Sequence, residues 1–163
     1  MNEITPLAFI ASATVVMVVV FVLLHLFFKL ISRRWNKHKA ETVDKWEAEG
    51  IEFVRGPTGA RFGGLESMGI DRVLRGIGLV LITDKDLRVT RSSPLGTWCV
   101  PFKQIKGVTI QPAFMGHRGK TPFIVVRFKK EGEADKLGFQ VKDCEAWASD
   151  LAEAAGVRVK DKR

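Results

Sequence analysis

The side chains best able to do chemistry in this sequence are three histidines (25, 38 and 117) and two cysteines, Cys99 and Cys144. Catalysis by acid–base or nucleophilic chemistry needs a nucleophile beside a base, or two carboxylates in an apolar setting. No such pattern is present, and the cysteines lack C-x-x-C spacing and metal-ligand neighbours. We therefore expect a protein that is not an enzyme, with buried thiols, no catalytic residue, no metal, no cofactor and no small-molecule substrate.

A glycine-rich stretch, Gly-Pro-Thr-Gly-Ala-Arg-Phe-Gly-Gly at residues 56–64, invites comparison with a phosphate-binding loop. It lacks the Gly-Lys-Ser/Thr ending, and no obvious helix follows it. Gly and Pro in this arrangement favour a turn. Its first four residues, 56–59, predict a turn between two strands, Ile51–Arg55 and Ala60–Leu65.

Lys and Arg are the other side chains that could bind a partner. The net charge of +8 falls largely after residue 50. Two explanations are open: a surface that binds an anionic partner, or ordinary solubility together with protection of strand edges against pairing. The candidate basic binding surface comprises Arg88, Arg91, His117, Arg118 and Lys120. We expect anionic phospholipid rather than nucleic acid as its acidic partner, because a membrane anchor holds the domain near headgroups.

That anchor is the uncharged run from Leu7 to Phe28. As a helix it spans roughly 33 Å, enough to cross a hydrocarbon core of about 30 Å. A cleaved signal peptide needs a basic segment before the run and a small-residue cleavage site after it, and neither is present. The run predicts a single membrane-spanning helix.

A basic cluster follows the run and predicts its orientation, because Lys and Arg beside a span are retained on the cytoplasmic side. We expect the N-terminus outside and the C-terminal domain in the cytoplasm, at the inner membrane of a bacterium. The predicted membrane-interface residues are Lys29, Arg33, Arg34, Trp35, Lys37 and Lys39.

His25 is the one ionisable side chain within the span. Such a group is a functional hypothesis by default, and an imidazole can ligate a haem or a chlorophyll-type metal. The alternative is a neutral histidine near the interface or in a helix contact, which we favour. The candidate helix–helix contact consists of Ala8, Ala11, Ser12 and His25.

Beyond the span, the pattern changes from helical to strand-like. Residues 32–50 predict a basic juxtamembrane helix, in which Val43 and Trp46 face one side and dock onto the domain or a neighbour. Short apolar runs then alternate with turns, most clearly in the hairpin formed by Gly78–Thr83 and Leu87–Arg91. An amphipathic helix follows Asp143 and ends near Gly156, with Trp147 on its apolar stripe.

These patterns predict five segments and one fold class. The segments are an extracytoplasmic N-terminus (1–6), a transmembrane helix (7–31), a helical stalk (32–50), a cytoplasmic domain (51–156) and a basic tail (157–163). The fold class is a mainly-β (α+β) domain of six or seven antiparallel strands, arranged as a partly open barrel and capped by a C-terminal helix.

The domain resembles bacterial pleckstrin-homology-like (PH-like) and GRAM-like domains. The resemblance is carried by the hairpin sequence Gly-Leu-Val-Leu-Ile-Thr-Asp-Lys-Asp-Leu-Arg-Val from residue 78, by Phe102 and Ile105, and by the closing helix with Trp147. The basic first-hairpin motif of phosphoinositide-binding PH domains has no counterpart here. The resemblance implies a binding or scaffolding module.

Two functions follow from the anchor and this module. The first is an accessory, assembly or scaffolding subunit of a larger integral-membrane complex, respiratory or photosynthetic for example, acting through protein–protein contacts. The second is a sensor or binder of anionic lipid headgroups at the cytoplasmic leaflet.

Overall fold

A computed structural model describes residues 6–68, 76–92 and 95–162 of the chain. Its contacts divide the chain into two compact units, residues 1–42 and 43–163. The first is helical, and the second contains a β-sheet and a second helix.

Helix α1 runs from Pro6 to Ala48. It is the one helix in the described residues that is long and apolar enough to cross a membrane. Its side chains from Val16 to Arg34 are exposed. The prediction of a single membrane-length helix is therefore confirmed by length and composition.

The predicted interface and contact residues have the following places on α1. Exposed side chains belong to Lys29, Arg33, Arg34 and Lys37, and the side chain of Lys39 is half-buried. Lys37 Nζ lies 3.8 Å from Glu41 Oε1. His25 is exposed. The side chains of Ala8, Ala11, Ser12 and Trp35 lie outside those that the structure describes.

The second unit is built on one eight-stranded sheet in the order β4-β3-β2-β1-β7-β6-β5-β8. All neighbouring pairs are antiparallel except β5 and β8, which are parallel. The strands are β1 (Phe53–Leu65), β2 (Gly76–Thr83), β3 (Asp86–Ser92), β4 (Leu95–Pro101), β5 (Ile105–Phe114), β6 (His117–Lys130), β7 (Glu133–Gln140) and β8 (Val159–Asp161).

The sheet is open, so the predicted barrel is wrong. In the described residues its edges are β4 and β8, which do not pair with each other. Element order along the chain predicts which strands are present, but closure would require the two edge strands, β4 and β8, to pair. The mainly-β composition with a C-terminal helix is as predicted.

One face of the sheet, which we call the inner face, carries the hydrophobic core. Strands β1 to β7 contribute side chains to it, and helix α2 (Cys144–Ala154) adds Trp147, Ala148 and Leu151. Trp147 is 2% exposed, as its position on the apolar stripe predicted. Asp143 occupies the N-cap of α2, although its side chain makes no capping hydrogen bond.

Two segments differ from the sequence prediction. Residues 56–59 do not form a turn, because β1 continues through them with register shifts between Phe53 and Thr58. A Cβ at Gly56 would come within 2.9 Å of the Val80 carbonyl oxygen, so this glycine permits close approach of β2. Residues 159–161, in the predicted basic tail, form β8 along β5.

Candidate functional site

Arg88 lies on β3, on the outer face of the sheet, opposite the core. Its Nε donates to Asp86 Oδ1 at 2.9 Å, and its Nη1 lies 4.0 Å from Glu49 Oε2. Burial by itself lowers the pKa of Arg88. The hydrogen bond to Asp86 and the negative charge of that carboxylate outweigh burial, so the pKa of Arg88 is raised. The charge of Arg88 is therefore already engaged by carboxylates of its own unit.

Arg91 is not on the surface, contrary to the prediction of an outward charge. Its side chain is 1% exposed. Alternate residues of a strand share a face, and Arg91 follows Leu87 and Val89, which belong to the core. The pleat therefore directs Arg91 inwards, and it cannot contribute to a binding surface.

His117, Arg118 and Lys120 are exposed at the beginning of β6, where a hairpin pairs Phe114 with His117. His117 and Arg118 line a cleft of about 410 Å³ together with Arg61 of β1. The predicted surface is thus divided: these three residues lie near the β5–β6 hairpin, whereas Arg88 belongs to β3 in the other half of the sheet.

A larger basic cleft lies on the outer face of β5, β6, β7 and β8, and sequence reasoning missed it. Its volume is about 510 Å³. We call it the β5–β8 cleft and define it by four cationic side chains among its lining residues: Arg127, Lys136, Lys160 and Lys162.

Strand register explains how these cations meet. Lys136 of β7 pairs with Arg127 of β6, and Arg127 pairs with Gly107 of β5. Next along β5, Thr109 pairs with Lys160 of β8. Because neighbouring strands lie about 4.8 Å apart, pairing across four strands gathers charges that are distant in sequence.

Charge balance in the cleft favours an anion. Lys136 Nζ lies 2.8 Å from Glu66 Oε1, which neutralises that lysine. Arg127, Lys160 and Lys162 are exposed, and none of them forms an ion pair with any residue that the structure describes. Three positive charges are therefore left without a counter-charge in direct contact within the described part of the chain.

An aromatic pair adjoins both basic clefts on the outer face. The rings of Phe114 and Phe123 have centroids 6.1 Å apart and planes inclined by 43°. Phe114 and Met115 line the β5–β8 cleft, and Phe123 lines the cleft of His117 and Arg118. A buried aromatic pair thus joins the linings of the two basic clefts on the outer face of this half of the sheet.

The chain matches no protein-family model and no curated protein.

A third cleft, of about 340 Å³, lies between edge strand β4 and the β6–β7 hairpin. Its lining is largely apolar and includes Leu65, Trp98, Val100, Phe128 and Leu137. Cys99 of β4 is exposed beside it, whereas Cys144 is buried. Although Cys99 is exposed overall, partial desolvation of its thiol, followed by the negative charge of Asp86, raises the pKa of that thiol.

Among the described residues, His, Cys, Asp and Glu form no group of three suited to a metal ion. The clefts on the outer face instead offer guanidinium and ammonium groups, which donate hydrogen bonds to anions. Such groups can bind negatively charged partners.

Proposed function

We propose that this chain is a non-enzymatic, membrane-anchored protein whose β-rich unit binds anionic phospholipid headgroups through the outer face of its sheet. The observation that carries the proposal is the β5–β8 cleft, where Arg127, Lys160 and Lys162 lack carboxylate partners among the described residues. Each Lys or Arg near an anionic leaflet contributes about 1 kcal/mol to binding.

The apolar length of α1 and the basic residues that follow it support the membrane location. We propose the cytoplasmic leaflet of a bacterial inner membrane, with the N-terminus outside, because basic residues beside a span remain in the cytoplasm. The sequence of antiparallel strands followed by one helix also supports a PH-like domain, and the open sheet departs from the barrel of that fold.

Lysine footprinting of the full-length protein tests the proposal. The protein is reconstituted in nanodiscs of phosphatidylcholine, with or without phosphatidylglycerol, and treated briefly with an acetylating reagent. We expect phosphatidylglycerol to protect Lys160 and Lys162 but not Lys85, whose side chain is 83% exposed in the β2–β3 turn. High salt should abolish the protection, because it screens exposed charges.

Equal acetylation of Lys160 and Lys162 in both kinds of nanodisc would overturn lipid binding. A charge-reversal variant, Arg127→Glu, provides a further check. It should reduce protection at both lysines, and Lys85→Glu is the matched control that should leave protection intact.

The cleft beside β4 favours a second function, an accessory, assembly or scaffolding subunit of an integral-membrane complex. Edge strands expose unpaired backbone groups that pair readily with another chain, and the apolar lining adds buried area to such a contact. A photo-crosslinking residue in place of Trp98 should capture a single membrane protein reproducibly in mild detergent. A chain that migrates alone and captures no such protein contradicts this function.

A further inference from the structure

We infer that the β5–β8 cleft binds a phosphate monoester in preference to a phosphodiester. This inference rests on the proposed function, since it names the headgroup chemistry that the basic face recognises. A monoester has a terminal phosphate with three free oxygens and a charge of about −1.5 to −2 at pH 7. A diester such as phosphatidylglycerol has a single negative charge.

Gly107 determines where the guanidinium of Arg127 lies. A Cβ built at Gly107 would come within 2.8 Å of Arg127 Nη2 and 3.4 Å of Nε. The guanidinium therefore lies across the bare backbone of β5, on the outer face. A planar guanidinium donates two parallel hydrogen bonds to phosphate oxygens, which an ammonium group cannot do.

Strand β8 and the residue that follows it supply the other two cations at defined positions. Lys160 pairs with Thr109, and the backbone N–H of Lys162 donates to the Ile110 carbonyl at 3.0 Å. The β5 side chains below are fixed as well: Gln111 Nε2 donates to Thr109 Oγ1 at 3.0 Å, and that hydroxyl donates to the Val125 carbonyl.

Charge count then favours the monoester. The charged groups that line the cleft are Arg127, Lys160, Lys162, Lys136 and Glu66, and the last two form an ion pair. Three positive charges remain, enough to balance a dianion and to give each of its free oxygens a donor. A phosphodiester leaves one donor group and more than one positive charge unmatched.

Calorimetric titration of the full-length protein in phosphatidylcholine nanodiscs tests this preference, with protein-free nanodiscs as the blank. The probes are dihexanoyl phosphatidic acid, which is a monoester, dihexanoyl phosphatidylglycerol, which is a diester, and inorganic phosphate. We expect phosphatidic acid to bind at least about tenfold more tightly than phosphatidylglycerol, because charge-assisted hydrogen bonds are gained. The preference should shrink below about pH 6, where the monoester loses its second charge.

Two variants localise the binding. Gly107→Ala should weaken phosphatidic acid binding several-fold, because the new methyl group displaces the Arg127 guanidinium. Gly59→Ala is the matched control, since a Cβ at Gly59 meets nothing within 4 Å. Arg127→Gln combined with Lys160→Gln should abolish the preference for the monoester.

The outcomes distinguish a lipid phosphate from free phosphate, and they distinguish failure of this inference from failure of the proposed function. Binding of phosphatidic acid alone supports a lipid monoester, and equal binding of inorganic phosphate supports a free phosphate. Equal affinity for both lipids, or a preference that survives the double variant, overturns the inference. If the inference is overturned but phosphatidylglycerol still protects Lys160 from acetylation, the proposed function stands. If phosphatidylglycerol does not protect Lys160 either, both the inference and the proposed function fail.

Discussion

The ring of Phe114 lies directly over the backbone of Gly138, and a Cβ at residue 138 would overlap it. The neighbouring Gly63 is similarly placed, because its Cβ would come within 2.8 Å of the Phe123 ring. Two glycines in β1 and β7 thus make room for two aromatic rings on the outer face. Both rings are at least 94% buried, although they lie on the opposite face from the main core.

Gly138→Ala should therefore destabilise the β-rich unit by about 1–3 kcal/mol, the usual cost of overpacking a well-packed cluster. The methyl group would push Phe114 out of its contact with Phe123. Thermal unfolding of the full-length protein in detergent, followed by near-ultraviolet circular dichroism, measures the effect. Gly59→Ala is the control and should unfold close to the wild-type temperature, and an equal loss in both variants would contradict the packing argument.

The parts of the fold that the sequence predicted are those governed by local patterns. The hairpin of β2 and β3 was predicted from alternation, and its turn is held by Thr83, whose Oγ1 accepts from the N–H groups of Lys85 and Asp86. Helix α2 is predicted from its apolar stripe, of which Cys144, Trp147, Ala148 and Leu151 are buried and Ala155 is half-buried. In both the hairpin and the helix, the pattern that predicts the structure lies within about a dozen consecutive residues.

Long-range pairing explains what the sequence did not predict. A glycine such as Gly56 is found both in turns and in strands that closely approach a neighbour. The sequence therefore predicts two strands where the structure has the single strand β1. The β5–β8 cleft was missed because β8 has three residues and pairs in parallel with a distant strand. Arg91 is an exception, because local alternation with Leu87 and Val89 is enough to place it inwards, and its prediction as a surface residue is wrong.

Trp147 connects α2 to the inner face of the sheet. It is 2% exposed, and the Arg55 guanidinium lies 5.2 Å from its ring centroid while forming an ion pair with Asp150. Trp147→Ala should destabilise the unit by about 3–5 kcal/mol, the cost of a large core cavity. Chemical unfolding should reveal this loss, whereas the exposed neighbour Ser149→Ala should change little; a small loss in Trp147→Ala would mean that α2 does not depend on this side chain.

Cys99 provides a probe of the charges around Arg88. Partial desolvation and the charges of Asp86 and Glu49 raise the pKa of its thiol, and the charge of Arg88 lowers it. Arg88→Gln should therefore raise this pKa further, and Glu49→Gln should lower it. The pH dependence of the iodoacetamide reaction rate measures the change, since only the thiolate reacts. Shifts of both variants in the same direction would contradict the arrangement.

Membrane orientation is testable with the same cysteine, because Cys99 is exposed and Cys144 is buried. If the basic residues after the span remain in the cytoplasm, a membrane-impermeant maleimide should label Cys99 in inverted vesicles from bacteria that express the protein. It should not label Cys99 in intact spheroplasts. Cys99→Ser should remove the label and so exclude reaction at Cys144. Labelling in intact spheroplasts would instead put the β-rich unit outside the cell, where its basic face could not meet the cytoplasmic leaflet.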